Sequence, residues 1–151
     1  MAKRGRRIPP FDRNGNLPPG IFRVAMSDVK ELARNAHRRA QLAKALPGLR
    51  NLRDAGVGKL YLAGSWVSAK DKPDDIDCFF PWHGGIDISK LDPVFLDVRG
   101  KRSRAAMKAK YGLDLLFDTP DRTLEAFFQI DKDGHRRVIF LLNLETIHDT
   151  E

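Results

Sequence analysis

With a single cysteine, Cys78, in 151 residues, the chain can form neither an intrachain disulfide framework nor a multi-cysteine zinc site. Long apolar runs are also missing. The longest, Val138–Leu142, falls far short of the roughly 20 residues that span a bilayer. The basic N-terminus is followed by no apolar segment of the kind that marks a secretory signal, so a cytoplasmic protein without membrane attachment is expected. There is no repeat, heptad or low-complexity tract. Acidic residues are the scarcer charge, with 20 Asp+Glu against 27 Lys+Arg and a formal charge of +7. The imbalance is local: residues 1–23 hold six basic side chains and one acidic, and the rest of the chain is close to neutral.

That distribution suggests a basic arm over 1–23 and one domain over 24–151, a size able to enclose a single hydrophobic core. The arm carries Lys3, Arg4, Arg6 and Arg7, then Pro9-Pro10, Asn14-Gly15 and Pro18-Pro19-Gly20, which favour extended and turn geometry. A solvated leader is the simpler reading. The alternative is a nucleic-acid contact, because clustered cations gain from counterion release on phosphates.

Beyond the arm, helical and strand patterns alternate, which predicts an α/β or α+β fold with a mixed sheet. Ser27 is positioned to cap a helix running from about Asp28, with apolar residues at Val29, Leu32, Ala33, Ala36 and Ala40. Pro47-Gly48 interrupts the pattern and predicts two helices or a kink. Strands are expected at Lys59–Ala63, Ile76–Phe80, Leu113–Phe117 and Val138–Leu144, with a basic helix over Arg102–Lys110 and a short helix from Pro120-Asp121 to Phe128.

The chemistry concentrates in YLAGSWVSAKDKPDDIDCFF. A strand ends at Gly64-Ser65. After nine residues, Trp66–Asp74, Asp75-Ile76-Asp77 heads the next strand. Residues two apart on a strand share a face, roughly 6–7 Å from one another, so Asp75 and Asp77 repel unless a cation lies between them. Such a pair suits a hard divalent ion, Mg²⁺ or Mn²⁺, that takes oxygen ligands. Asp114 lies among Leu113, Leu115, Leu116 and Phe117, where an ionised group needs a partner. Adjacent strands would bring it to the other two and complete a two-metal clamp. The alternative is an aspartate capping the helix after Pro120. Gly64 permits close backbone approach to a phosphate, Ser65 offers an N–H and a hydroxyl, and Lys70 lies near enough in sequence to neutralise one.

Among the other polar residues, the four histidines show no ligand spacing, although His83, after the second acid strand, is within conceivable reach of the site. Cys78 and Trp66 read as core. So do Phe79-Phe80 and Phe127-Phe128. Arg38-Arg39 and the cations of Lys101–Lys110 read as solvated helix faces, with a tRNA-binding strip as the alternative.

Gly64-Ser65, Asp75-Ile76-Asp77-Cys78 and Leu113-Asp114-Leu115 resemble, in order and spacing, the signature of the nucleotidyltransferase superfamily that includes DNA polymerase beta. FDRNGNLPPGI, GSWVSAKDKPDDID, YGLDLLF and FFQIDKDGHRRVIFLLNL extend the likeness to small prokaryotic nucleotidyltransferase-like proteins, over nearly the whole chain. The resemblance implies a minimal nucleotidyltransferase fold with its site at a sheet edge. It also implies transfer of a nucleoside monophosphate from a nucleoside triphosphate to a hydroxyl, with release of pyrophosphate. Asp75, Asp77 and Asp114 would be the catalytic metal ligands, Asp114 also helping to deprotonate the acceptor, and Gly64 and Ser65 would grip the β- and γ-phosphates. Only 34 residues, Asp118–Glu151, follow the third-acid strand here, with at most one short helix and one strand expected in them, so the acceptor is expected to be docked by a partner or to be itself a macromolecule. The resemblance therefore implies a macromolecular acceptor, a partner protein or tRNA, within a toxin–antitoxin or phage-defence module. The rival readings are a non-catalytic antitoxin or partner-binding protein on the same fold, and a two-metal nuclease.

Overall fold

The computed structural model describes residues 8–96, 101–118, 123–130 and 133–149, without the side chains of 101–103. Five strands form one mixed sheet: β1 (Gly20–Val24), β2 (Lys59–Ala63), β3 (Ile76–Pro81), β4 (Leu113–Asp118) and β5 (Val138–Asn143). Their order is β1-β5-β2-β3-β4. The outer pairs, β1 with β5 and β3 with β4, are parallel, and β2 runs antiparallel to both of its neighbours. With α1 (Met26–Glu31), α2 (Ala36–Asp54), α3 (Lys101–Tyr111) and α4 (Thr123–Phe128), the protein is an α+β fold. The four strands expected from the sequence lie where the apolar runs put them, within a residue at each end.

Strand alternation sorts the side chains onto two unequal faces. Leu60, Leu62, Ile76, Cys78, Phe80, Leu113, Leu115, Phe140 and Leu142 join Leu42, Leu49 and Leu52 of α2 in the main core. The opposite parity gives a thin second cluster of Tyr61, Ala63, Phe79, Leu116 and Ile139 under Leu124 and Phe128 of α4. Asp77 and Asp114 have this second parity. They therefore avoid the main core and lie on the sparsely covered face, where a carboxylate can be tolerated.

Three expectations change. Gly20–Val24 is not part of an arm: it pairs with Val138–Leu142 as an edge strand, and Ile8 and Leu17 are buried, so the folded body extends across the boundary expected at residue 23. The leading cations Lys3, Arg4, Arg6 and Arg7 lie outside the described residues, as do Pro120 and Asp121. The helical break falls at residues 32–35 instead of at Pro47. There Asn35 is extended (φ −134°, ψ 170°), and its side chain accepts from the Arg38 N–H to start α2. Pro47 stays inside α2. A proline in a helix interior costs about 3 kcal/mol, and burial of Leu42, Leu49 and Leu52 at about 1.5–3 kcal/mol each outweighs it. Gly48 serves packing: a Cβ there would lie 2.9 Å from the Tyr111 ring, so only glycine lets α2 and α3 approach this closely. Ser27 does not cap α1. The Asp28 carboxylate accepts from the Ala25 N–H at 2.8 Å instead.

Candidate functional site

One register row assembles the centre of the site. Asp77 on β3 pairs with Asp114 on the parallel edge strand β4 and with Ala63 on the antiparallel β2. Gly64 follows Ala63 in the left-handed region (φ +73°), and a Cβ on it would overlap the Asp77 carboxylate. Gly64 therefore meets both conditions that demand glycine, a positive φ and a close neighbour. Ser65 continues into a 3₁₀ turn, Gly64–Val67.

Asp75, just before β3, faces the same cluster. The Lys108 ammonium lies 3.2 Å from Asp75 and 3.6 Å from Asp114, linking the two carboxylates. One helical turn earlier on α3, the Arg104 guanidinium grips Asp114 with Nε at 3.0 Å and Nη2 at 2.5 Å. These α3 cations, read from sequence as a solvated face, are thus part of the acidic cluster. They raise no signal in the sequence, because only the packing of α3 on β4 brings them there. Among the described residues, the Asp77 carboxylate makes no hydrogen bond or ion pair. Burial, then repulsion from Asp75 and Asp114, pushes its carboxyl up to about 6, against a partial opposing pull from Lys108 and Arg104. As the side chains stand, no three His, Cys, Asp or Glu groups among the described residues form a ready metal cage. Instead, two cations face three carboxylates, and Asp77 is compensated only in part.

The alternative role considered for Asp114, capping the last helix, belongs to Asp118. Its carboxylate accepts from the Leu124 and Glu125 N–H groups at 2.8 and 3.2 Å. His83 sits past the far end of β3, where its Nδ1 accepts from the Gly85 N–H, so it is remote from Asp77. Cys78 and Trp66 are buried as expected. Phe127, expected in the core, is 65% exposed.

The segment after Gly64 is held by a residue the sequence reading placed in solvent. Arg38 is fully buried. Its guanidinium donates to the carbonyls of Leu32, Ser65, Trp66, Ser68 and Lys70, with the bonds to Trp66, Ser68 and Lys70 as short as 2.7, 2.6 and 2.7 Å. It also lies 5.1 Å from the centre of the Trp66 ring. Burial, with a smaller contribution from Arg34, lowers Arg38 to about 10, so it remains a cation at neutral pH. His37 and Gln41 bond the Pro73 carbonyl, and Asn35 the Asp71 carbonyl, so the first turns of α2 anchor the whole connection from Ser65 to Asp75.

A groove opens on the other side of the Gly64-Ser65 turn. Its outer part is polar, lined by Arg13, Asn14, Asn16, Ser65, Ser68, Lys70 and Arg137. Its inner part shares Asn16, Ser68 and Arg137 and adds Gly64, Val67, Phe128, Ile130 and Val138. The Lys70 side chain is exposed at the mouth, and its carbonyl is tied to Arg38.

Residues 9–141 match the family of unknown function DUF6932, and the chain belongs to that family. No curated protein and no solved structure matches it. Among the described residues, no helix is long and apolar enough to cross a membrane.

Proposed function

We propose that this protein is a divalent-cation-dependent nucleotidyltransferase that moves a nucleoside monophosphate from a nucleoside triphosphate to a hydroxyl of a protein or RNA acceptor. The row Gly64–Asp77–Asp114 carries the reading: a glycine turn lies directly against two strand carboxylates, with Asp75 beside them.

The donor set fits Mg²⁺ or Mn²⁺. All three groups are carboxylates, and Lys108 and Arg104 offset the repulsion and burial of Asp77 only in part. Asp75, Asp77 and Asp114 would hold the ions, in competition with Lys108 and Arg104 for the same oxygens. When bound, the ions neutralise triphosphate charge and lower the pKa of the attacking hydroxyl. The chain itself supplies position and charge. Gly64 lets the turn lie against the Asp77 carboxylate, the Ser65 hydroxyl and N–H would donate to a phosphate beside it, and Lys70 would neutralise that phosphate. The acceptor hydroxyl oxygen bonds to the α-phosphorus, the bond from that phosphorus to the bridging β-oxygen breaks, and pyrophosphate leaves. The hydroxyl proton passes to Asp114. Arg38 acts through the backbone, fixing the carbonyls of 65–70 so that the turn keeps its shape.

The test is incubation with each α-labelled nucleoside triphosphate, Mg²⁺ and cell lysate. Label on a macromolecule and released pyrophosphate are expected from the native chain and not from Asp77→Asn. Transfer unchanged by that substitution would refute the assignment.

One observation favours a second reading. Arg104 and Lys108 already compensate two of the three acids, as they would in a partner-binding protein that performs no turnover. That reading predicts no pyrophosphate release with any nucleotide and partner capture that survives neutralisation of Asp75 and Asp77.

A further inference from the structure

β1 is an outer strand with one free side. It pairs with β5 alone, and among the described residues no other backbone group bonds to Gly20–Val24. Alternate residues of such a strand direct both N–H and C=O outward, which makes a template for one more strand. Phe22 packs on the main core, so Ile21 and Arg23 lie on the opposite face, and both are exposed. A cationic hollow lies at each end of that stretch. One, beside Pro19 and Gly20, is lined by Arg136 and Arg137. The other, beyond Ile21, is lined by Arg23 and Lys59. No carboxylate lines either hollow, and Arg23, Lys59 and Arg136 make no ion pair among the described residues.

The charge selects the occupant. A second copy pairing through β1 would set the cations of one chain against those of the other. A nucleic acid would meet the charge but leave the strand edge and the aliphatic Ile21 unused. An extended protein segment of opposite charge satisfies all three features. Same-face side chains on a strand stand roughly 6–7 Å apart, so the levels of Pro19, Ile21 and Arg23 would face three successive side chains on one face of an added strand. We infer that a partner protein adds a strand to β1 through a segment of pattern acidic–any–apolar–any–acidic, its apolar side chain beside Ile21 and its acids beside Arg23 and Arg136. The pattern reads the same in both directions, so it fits parallel and antiparallel addition alike. β1 is the sheet edge opposite the one that carries Asp114, and the inference does not depend on the nucleotidyl-transfer reading.

Amide shifts of the full chain in two-dimensional NMR test this, with the synthetic peptide TETVTET as probe and TKTVTKT as its basic counterpart. The acidic peptide should move the amides of Gly20–Val24 saturably and bind about tenfold more tightly than TKTVTKT, an advantage that added salt reduces. Arg23→Glu, at an exposed position, should reverse the order of the two peptides, and Arg136→Glu should shift it in the same direction. Only every second residue of an added strand turns its N–H toward β1. Of two forms of TETVTET N-methylated at alternate residues, one should therefore lose binding and the other keep it. Equal affinity for the two peptides, an order unchanged in Arg23→Glu, equal binding of the two methylated forms, or shifts that leave out β1 would overturn the proposal. So would tighter binding of a mixed-sequence RNA oligonucleotide at the same amides, which would assign the surface to nucleic acid.

Discussion

Gly64 and Asp77 compete for one volume: the Asp77 carboxylate occupies the space that a side chain on Gly64 would need, and the left-handed backbone of Gly64 turns β2 away just there. Gly64→Ala therefore incurs both a positive-φ penalty and a displaced carboxylate. The expected loss is about 2 kcal/mol or more, a fall of about 4–8 °C in Tm for a chain this long. Calorimetric melting measures it. Nucleotide affinity should fall in the same variant, because the new methyl fills the approach to Asp77. Gly134 also has a positive φ but nothing near its Cβ position. Gly134→Ala should thus melt closer to the native chain and keep its ligand affinity.

Asp77 predicts an unusual pH dependence. Its carboxyl titrates at about 6 in the folded chain, against 3.8 as the ordinary value. Between these values the folded state binds more protons than the unfolded state, so this group's contribution to stability falls as pH rises from about 4 to 6 and stays unfavourable above that. Asp77→Asn should then be more stable than the native chain at pH 7 by about 1–3 kcal/mol, with solvent at the carboxylate's exposed edge reducing the gain. The gain should vanish near pH 4. Melting curves of both proteins from pH 4 to 8 check this. A constant difference across that range would contradict the electrostatic origin.

Arg38 predicts a local effect at a distance. Replacement by Met removes the shared donor of five carbonyl oxygens, of which that of Ser65 keeps its bonds from Ser68, and should cost about 3–5 kcal/mol. Arg38→Lys keeps the charge but not the planar fork, and should fall between the two. Hydrogen exchange should show protection lost first at the amides of Ser68 and Ala69, which bond within this segment and to Gly15. A uniform loss across the sheet would point to general destabilisation instead.

These residues also mark how far the sequence could be read. Asp75 and Asp77 were legible because strand parity alone puts them on one face, and Asp114 because an acid among leucines is conspicuous. Arg38 was not: its helical periodicity resembles a solvated face, and its partners are backbone carbonyls, which leave no trace in sequence. Arg104 and Lys108 were hidden for a related reason, since only the packing of α3 on β4 brings them to the acids. β1 was masked by the prolines and cations before it, and its burial depends on pairing with β5, more than a hundred residues later. Asn35 shows that a capping side chain can set a helix boundary while a proline, outweighed by burial, fails to.

Arg104 predicts competition. Its two hydrogen bonds to Asp114 occupy oxygens that a divalent cation would take on the proposed reading. Arg104→Gln should lower the melting temperature of the cation-free protein and at the same time reduce several-fold the Mn²⁺ concentration needed to protect it. Melting with and without Mn²⁺ separates the two effects. A variant that loses stability without gaining Mn²⁺ sensitivity would mean that the guanidinium and the ion do not share a site.

On the proposed reading, Asp75, Asp77 and Asp114 bind a divalent ion together with a triphosphate. Electron paramagnetic resonance of Mn²⁺, titrated with the chain in the presence and absence of nucleoside triphosphate, measures it directly. Bound Mn²⁺ should increase when nucleotide is added, beyond what nucleotide alone takes up, and the increase should be lost in Asp77→Asn and in Asp114→Asn. Nucleotide binding that ignores the ion, or Mn²⁺ uptake identical in the native chain and both variants, would contradict it.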